Sequence, residues 1–398
     1  MTTKLYYESA YLTHFEASVI KKDTDEQGDY IVLNQTAFYP TGGGQSCDKG
    51  LLDDVNVNQV EEIEEEIRHY IENSVFKSGQ KVHGQIDWNR RFDHMQQHAG
   101  QHILSAAFAE LFGYQTVGFH LGSEEVTVDI EVSQLTTDEA EKAVHYANEM
   151  IQENRAIEAR WVSEEEANRY PLRKELSVKG DIRLVIIPDF DYNGCGGTHP
   201  KQTLEVQGLS ITGWEKQRNH IRVSFLCGNR VFRQFTEQNQ ILQKLSQTLN
   251  APSIKLPEKA TSLIVKQKEL DKELEQLKGE LFKYEAIELL DSCEVVSNQS
   301  RLFKHFEDRS IKELQQLAKD VVEENDQAVV FFVSETAEKT QLVMAVGKAV
   351  NSVQANMMMK KVLPYIDGRG GGNQHFAQGG GNKGADVESL FELVRELF

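Results

Sequence analysis

A chain of 398 residues with 39% apolar content is long enough for two or three hydrophobic cores, and no run of about eighteen apolar residues offers a membrane span. Its formal charge of −19 excludes a general nucleic-acid binder, whose phosphate affinity draws on concentrated Lys and Arg. The opening Met1-Thr2-Thr3-Lys4-Leu5 has no secretory apolar stretch, and Cys47, Cys195, Cys227 and Cys293 form no disulfide framework, so a cytoplasmic protein is expected.

From Leu12 to about Asp87 short β-like runs alternate with turns: Phe15 to Ile20, the polar turn Asp23 to Asp29, Tyr30-Ile31-Val32-Leu33, and Val82 to Ile86. This predicts a β-barrel-like N-terminal domain over 1–87. Inside it stands Phe38-Tyr39-Pro40-Thr41-Gly42-Gly43-Gly44-Gln45, a rigid proline followed by glycines that let a ligand approach the backbone. It lacks the Gly-Lys-Ser/Thr of a phosphate loop.

An α+β sandwich is expected over 88–228. Its first element is a helix from Trp88 to Phe112, with Phe92, Met95, Ala99, Ile103, Ala106 and Leu111 as the core stripe and Gly113 as the stop. A strand-like stretch Thr116 to Val132, a helix opening at Thr137, a strand near Ile157 to Val162 and the apolar Leu184 to Pro188 follow. Strand-like Thr203 to Gly208 and His220 to Cys227 close it.

A helical arm is predicted over 229–291, where Leu263, Leu270, Leu274, Leu277, Leu281 and Tyr284 space as a coiled-coil seam or as one stripe of a hairpin bent at Ala251-Pro252 and Leu256-Pro257. A C-terminal α/β domain over 292–398 then carries a helix at Ser310 to Glu324, strands Ala328 to Val333 and Gln341 to Val346, a core-filling Met357-Met358-Met359 run, and an amphipathic last helix. The glycine clusters Asp367 to Asn373 and Phe376 to Gly381 are either backbone-binding loops or structural turns. A homodimer would form through the arm or this domain. The whole is an α+β multidomain chain.

Two ligand pairs carry the chemistry. His98 and His102, four apart on the predicted helix, project from one face, and Cys195 and His199 lie in the glycine loop Cys195-Gly-Gly-Thr-His199. Three imidazoles and a thiolate suit Zn2+ in a tetrahedral site. His94 falls on the same helix face but is assigned a solvated or outer role, since the other four already satisfy zinc. Ala99 after His98 excludes the metalloprotease motif HExxH, which needs glutamate there. Two locally basic segments, Lys216 to Arg233 and Lys339 to Lys383, leave room for a specific RNA partner on an acidic chain.

With the FYPTGGGQ loop, the HxxxH helix and the CGGTH loop in that order, the chain resembles the freestanding alanyl-tRNA editing proteins, the AlaX group. The coiled-coil stretch and the Ala377-Gln378-Gly379-Gly380-Gly381 segment resemble the C-terminal domain of alanyl-tRNA synthetase, which points to the long form of the group. The resemblance implies hydrolysis of the ester that joins serine or glycine to the 3′ adenosine of alanine tRNA. It also implies that His98, His102, Cys195 and His199 hold zinc, that Thr41 and Gln45 serve the reaction, and that Gly42 and Gly43 shape the amino-acid pocket. Here Ser46 follows Gln45 where family members commonly have proline. Lys360, Lys361 and Arg369 are the candidate tRNA contacts. An editing-like region that begins near residue 1 leaves no room upstream for an aminoacylation domain, so the chain is not expected to charge tRNA. The rival readings are a tRNA-binding module with structural zinc and a DHH-type phosphoesterase relative suggested by Asp93-His94, against which stands the lack of several spaced aspartates.

Overall fold

The computed structural model describes residues 2–398 apart from 73–74, 123–124, 175–179, 338 and 385. The chain divides into two compact units, Met1–Lys244 and Leu245–Phe398. None of the described helices is long and apolar enough to cross a membrane.

In the first unit six strands close a barrel in the order His14–Asp25, Gly28–Leu33, Glu66–Ile71, Val55–Ile63, Gly50–Leu52, Lys81–Ile86. Period-two alternation explains the closure: Phe15, Ala17 and Val19 on the first strand and Val82 and Ile86 on the last face inward with Leu33, Leu52, Val57 and Ile67. Barrel closure leaves no edge unpaired. The glycine loop leaves this barrel, pinched by paired backbone hydrogen bonds between Gly42 and Gln45 at 3.0 Å each.

The helix Trp88–Phe112 starts where Asp87 accepts from the Arg90 N–H and stops at Gly113 in the left-handed region. Its centre, from His94 to Phe108, is buried on every side, as a helix must be when several layers pack around it. Leu111, expected in the core stripe, is instead exposed because it lies in the last turn beyond those layers. One layer is the antiparallel sheet Leu209–Gln217, His220–Cys227, Val126–Ile130, Thr116–Leu121. Helix Thr137–Gln152 opens with a full capping box between Thr136 and Glu139. A second sheet orders Glu158–Val162, Ile182–Ile187 and Asp191–Gly194.

Two further expectations change here. The stretch Thr116 to Val132 folds as two antiparallel strands, and Thr203 to Gly208 is no strand: Thr203–Val206 forms a 3-10 turn. There the Glu205 carboxylate accepts from the Lys201 and Gln202 N–H groups, and the Thr203 hydroxyl donates to Met150 O at 2.9 Å. Those bonds satisfy the backbone locally, and the apolar Val206 docks into the core without a ladder.

Helix Asn229–Leu249 and helix Leu256–Asp291 follow, the chain bending at Pro252. The seam residues Leu263, Leu270, Leu274, Leu277, Leu281 and Tyr284 are exposed by 43% to 72%, so the heptad face is largely uncovered among the described residues. The first residue of the long helix, Leu256, is buried, and its C-terminal end packs through Phe282, Ala286 and Leu289 onto helix Ile311–Glu324 and the sheet beneath it.

That sheet runs Glu294–Val296, Gln299–Glu307, Ala328–Glu335, Lys339–Val346, Phe376–Asn382, Arg369–Gly372, with Gln299–Glu307 and Ala328–Glu335 parallel around the crossover helix. Met358 and Met359 fill the core on its other face, while Met357 points outward. The two glycine clusters are neither loops nor simple turns. They form the outermost antiparallel strand pair, and a Cβ at Gly370 would stand 2.2 Å from Gln378 O, so the pair closes only without side chains there.

Candidate metal centre and its cavity

Each ligand pair is presented by a different device. His98 and His102 sit one turn apart on the buried helix, while Cys195 and His199 come from the loop that leaves strand Asp191–Gly194. Their four ligand atoms all lie within 4.8 Å of one another. Cys195 Sγ is 3.4 Å from His98 Nε2 and 3.3 Å from His199 Nε2. The loop approaches the helix so closely that a Cβ at Gly197 would fall 2.2 Å from His98 Cε1, which is why glycine stands there.

Partners on the far side of the rings set which nitrogen faces inward. His102 Nδ1 donates to Asp191 Oδ2 at 2.9 Å, and Asp191 Oδ1 accepts from Arg173 Nε at 2.7 Å. His98 Nδ1 donates to Gln45 Oε1 at 3.0 Å. Both imidazoles therefore turn Nε2 toward the thiol, and a carboxylate behind a ligating histidine raises its basicity. His199 Nδ1 is buried with no hydrogen-bond partner among the described residues. Three imidazole nitrogens and one sulfur, converging with the outer bonds of His98 and His102 already made, fit a divalent transition-metal ion.

The charge states agree with that fit. Burial pushes the Cys195 thiol up, yet the surrounding His98 and His199, with hydrogen bonds from His102 and His199, hold it well below the usual thiol range. Burial lowers His102, but its bonds to Asp191 and Cys195 outweigh that and raise it to about 9. His199, desolvated, falls to about 3. Asp191 is raised by burial and pulled down further by Arg173 and His102, ending below the ordinary carboxylate value.

A cavity of about 670 Å³ opens beside the cluster, walled by His98, His102, Cys195, Gly43, Gln101, Phe119, Trp161, Arg173 and Arg183 among others. Of the glycine loop only Gly43 reaches it. Gly42 is tied back through its carbonyl, which accepts from the Tyr39 hydroxyl at 3.1 Å. Thr41 is exposed and does not wall the cavity. Gln45 does not face it either: its amide is consumed by His98, by the Thr198 N–H at 3.1 Å and by donation to Thr198 Oγ1 at 2.8 Å. Gln45 is thus placed to hold a histidine rather than to orient water or an ester. Gly44, at φ +80°, packs so closely on Phe119 that a Cβ would stand 2.6 Å from its ring, and Phe119 in turn lies 5.4 Å from the His98 ring.

His94 is buried rather than solvated, lies outside the four-residue group, and is lowered to about 4 by burial. Asp93 is engaged by Arg230 at 2.8 and 2.6 Å, which removes the carboxylate that a phosphoesterase reading would need. The same bonds, with Arg222 on Asp129, neutralise two cations of the basic segment Lys216 to Arg233. In the second unit Lys360 and Lys361 are exposed on helix Ala355–Val362, and Arg369 walls a separate cavity of about 840 Å³ with Lys339 and the glycine strands. Sequence reasoning missed Asp191, Arg173, Arg183, Gln101 and Trp161. Gln101, inside the His98–His102 motif, and Asp191, four residues ahead of Cys195, stood close enough to a motif to be noticed.

Three families match segments of the chain: tRNA synthetases class II (A) over 2–90, the threonyl and alanyl tRNA synthetase second additional domain over 182–224, and the DHHA1 domain over 298–398. An alanine–tRNA ligase of Pyrococcus abyssi is 34% identical across the whole chain, which spans 43% of that protein. The chain therefore spans less than half the length of such ligases. The alanyl-tRNA editing protein AlaX-L of Pyrococcus horikoshii is 29% identical, with 100% of this chain and 98% of that protein covered. The alanyl-tRNA editing protein Aarsd1-A of Xenopus laevis is 27% identical over 94% of this chain and 90% of its own length.

Proposed function

We propose, from the membership of this chain in the group of long-form alanyl-tRNA editing proteins, which it matches end to end, that it is a cytoplasmic zinc-dependent hydrolase. It removes serine or glycine from mischarged alanine tRNA in trans. The observation that carries this reading is the convergence of His98, His102, Cys195 and His199 beside an open cavity that the first three of them help to wall. The barrel module 1–87 and the region 88–228 form the editing part, and the arm with the C-terminal domain supplies tRNA contacts, Lys360, Lys361 and Arg369 among them, or a homodimer.

When bound, Zn2+ would supply Lewis-acid polarisation and a water of lowered pKa. The chain's own residues orient and select. Asp191 fixes the His102 tautomer, Gln45 fixes that of His98, and Arg183 donates to the Cys195 and Gly197 carbonyls at 2.9 and 2.8 Å, which locks the glycine loop. Gln101 spends its Nε2 on Ser105 Oγ at 2.9 Å and keeps its carbonyl oxygen for the cavity. That acceptor suits a seryl hydroxyl, which alanine lacks. A glycyl group differs from alanyl only by a methyl, a discrimination of about 1–3 kcal/mol.

The deciding experiment is a deacylation panel of the purified, metal-loaded protein on alanine tRNA charged with serine, glycine and alanine. Serine release, with the alanyl ester spared, is the expected result, and no turnover of any ester would leave only a binding protein.

Metal uptake carries a pH signature. In the metal-free protein the bonds to Asp191 and Cys195 outweigh burial and raise the pKa for the Nε2 proton of His102 to about 9, whereas that of Cys195 is held well below the usual thiol range and that of His199 falls to about 3. A ligand nitrogen must be bare, so below pH 9 uptake expels that proton and tightens as pH rises. Chelator competition is expected to show zinc affinity climbing about tenfold per unit between pH 7 and 9 and flattening above. A flat profile over that window would contradict the assignment of His102 as a ligand.

A further inference from the structure

Trp161 stands on the edge strand Glu158–Val162, directly across from Arg183. It walls the same cavity as the metal cluster, yet 55% of it is exposed. Tyr7, carried by the short helix ahead of the barrel, meets the indole in a T-shaped contact at 5.4 Å and 82°, and the Arg183 guanidinium lies over Tyr7 at 5.0 Å. The indole is thus braced by Tyr7, itself covered by the Arg183 cation, while much of the indole surface stays in water. What sets this indole apart from the other exposed apolar side chains is its place on the wall of the cavity beside the ligand cluster, where a flat ring could cover it.

The size of the cavity says what that is. About 670 Å³ is far more than a seryl or glycyl group fills and falls within the range of whole drug-sized ligands, about 300–1,000 Å³. An amino acid esterified to a nucleoside has that bulk. Resting on the hydrolase reading above, we propose that Trp161 is the stacking platform for the terminal base of the charged RNA, which positions the ester against the histidine and cysteine end of the cavity. Splayed single-stranded bases are held in this way, by the π-face of an aromatic side chain. Lys174, exposed on the same wall, supplies a cation for the adjoining phosphate.

The test uses the full chain. With Trp88 and Trp214 changed to phenylalanine, Trp161 is the sole remaining tryptophan, and the probe is a CCA trinucleotide. Saturable quenching of its fluorescence is expected. In steady-state deacylation Trp161→Ala should raise KM for charged tRNA about tenfold with kcat within about twofold, and Trp161→Phe should restore KM where Trp161→Leu does not. Absence of quenching, rescue by leucine as complete as by phenylalanine, or a fall in kcat at unchanged KM would each overturn the proposal. Quenching by the trinucleotide in a chain that hydrolyses no charged tRNA would sink the hydrolase reading and leave the platform standing.

Discussion

Cys195→Ala is expected to strip the protein of its metal and reduce deacylation by more than about a hundredfold, beyond the 10–100-fold typical of losing an outer hydrogen-bond partner. The reason is positional. Cys195 Sγ lies within 3.4 Å of both His98 Nε2 and His199 Nε2, and it brings the only anionic donor of the group. Three imidazoles left without it hold a divalent ion with neither the charge nor the fourth corner. Cys227→Ala is the matched control, since that thiol is buried, raised by desolvation and outside the cluster. Metal content by elemental analysis and single-turnover deacylation read both variants. Retention of stoichiometric zinc and rate by Cys195→Ala would mean that the ion, if any, sits elsewhere.

The second large effect lies outside the cavity. Arg91, on the histidine helix, is wholly buried and pairs with the equally buried Asp48, which follows the glycine loop. Arg91 Nε donates to both Asp48 oxygens at 3.0 Å, and the guanidinium also donates to the Ala10 and Ala37 carbonyls. Asp48 Oδ2 accepts from the Tyr39 N–H at 2.6 Å as well, so one ion pair ties the barrel loop to the helix that bears His98. Asp48→Ala strands a buried cation, a loss of about 3–5 kcal/mol, or roughly 10 °C in the melting transition of a unit this size. Combining Asp48→Leu with Arg91→Met should recover much of that stability, because the desolvation cost disappears with the charges. An unchanged transition in Asp48→Ala would show that water reaches the pair.

The local signals and the distant ones parted cleanly. Helical spacing exposed His98 and His102, and glycines flagged the Cys195 loop, because both depend on residues at most four apart. Gln45 was visible as a member of a glycine loop, but its bond to His98 spans 53 residues and its bonds to Thr198 span 153, and no periodicity encodes such a meeting. The heptad leucines carry another kind of signal: their spacing describes a seam, whereas their exposure within this chain depends on whether a partner covers it. The turn at Thr203 was misread as a strand since apolar alternation over a few residues is shared by strands and by docked turns.

What the amino-acid order determined alone was the set of donors, their pairing in twos, the mixed α+β character and the division into a β-rich start, a helical arm and a glycine-rich end. Tertiary packing alone decided that the two pairs meet within 4.8 Å, that Asp191 and Gln45 stand behind two of the rings, that Thr41 and Gln45 turn away from the cavity, and that Trp161 lines it. The division has one cause: spacing along the chain dictates which side chains share a face, while the burial of distant apolar surfaces against each other dictates which faces meet.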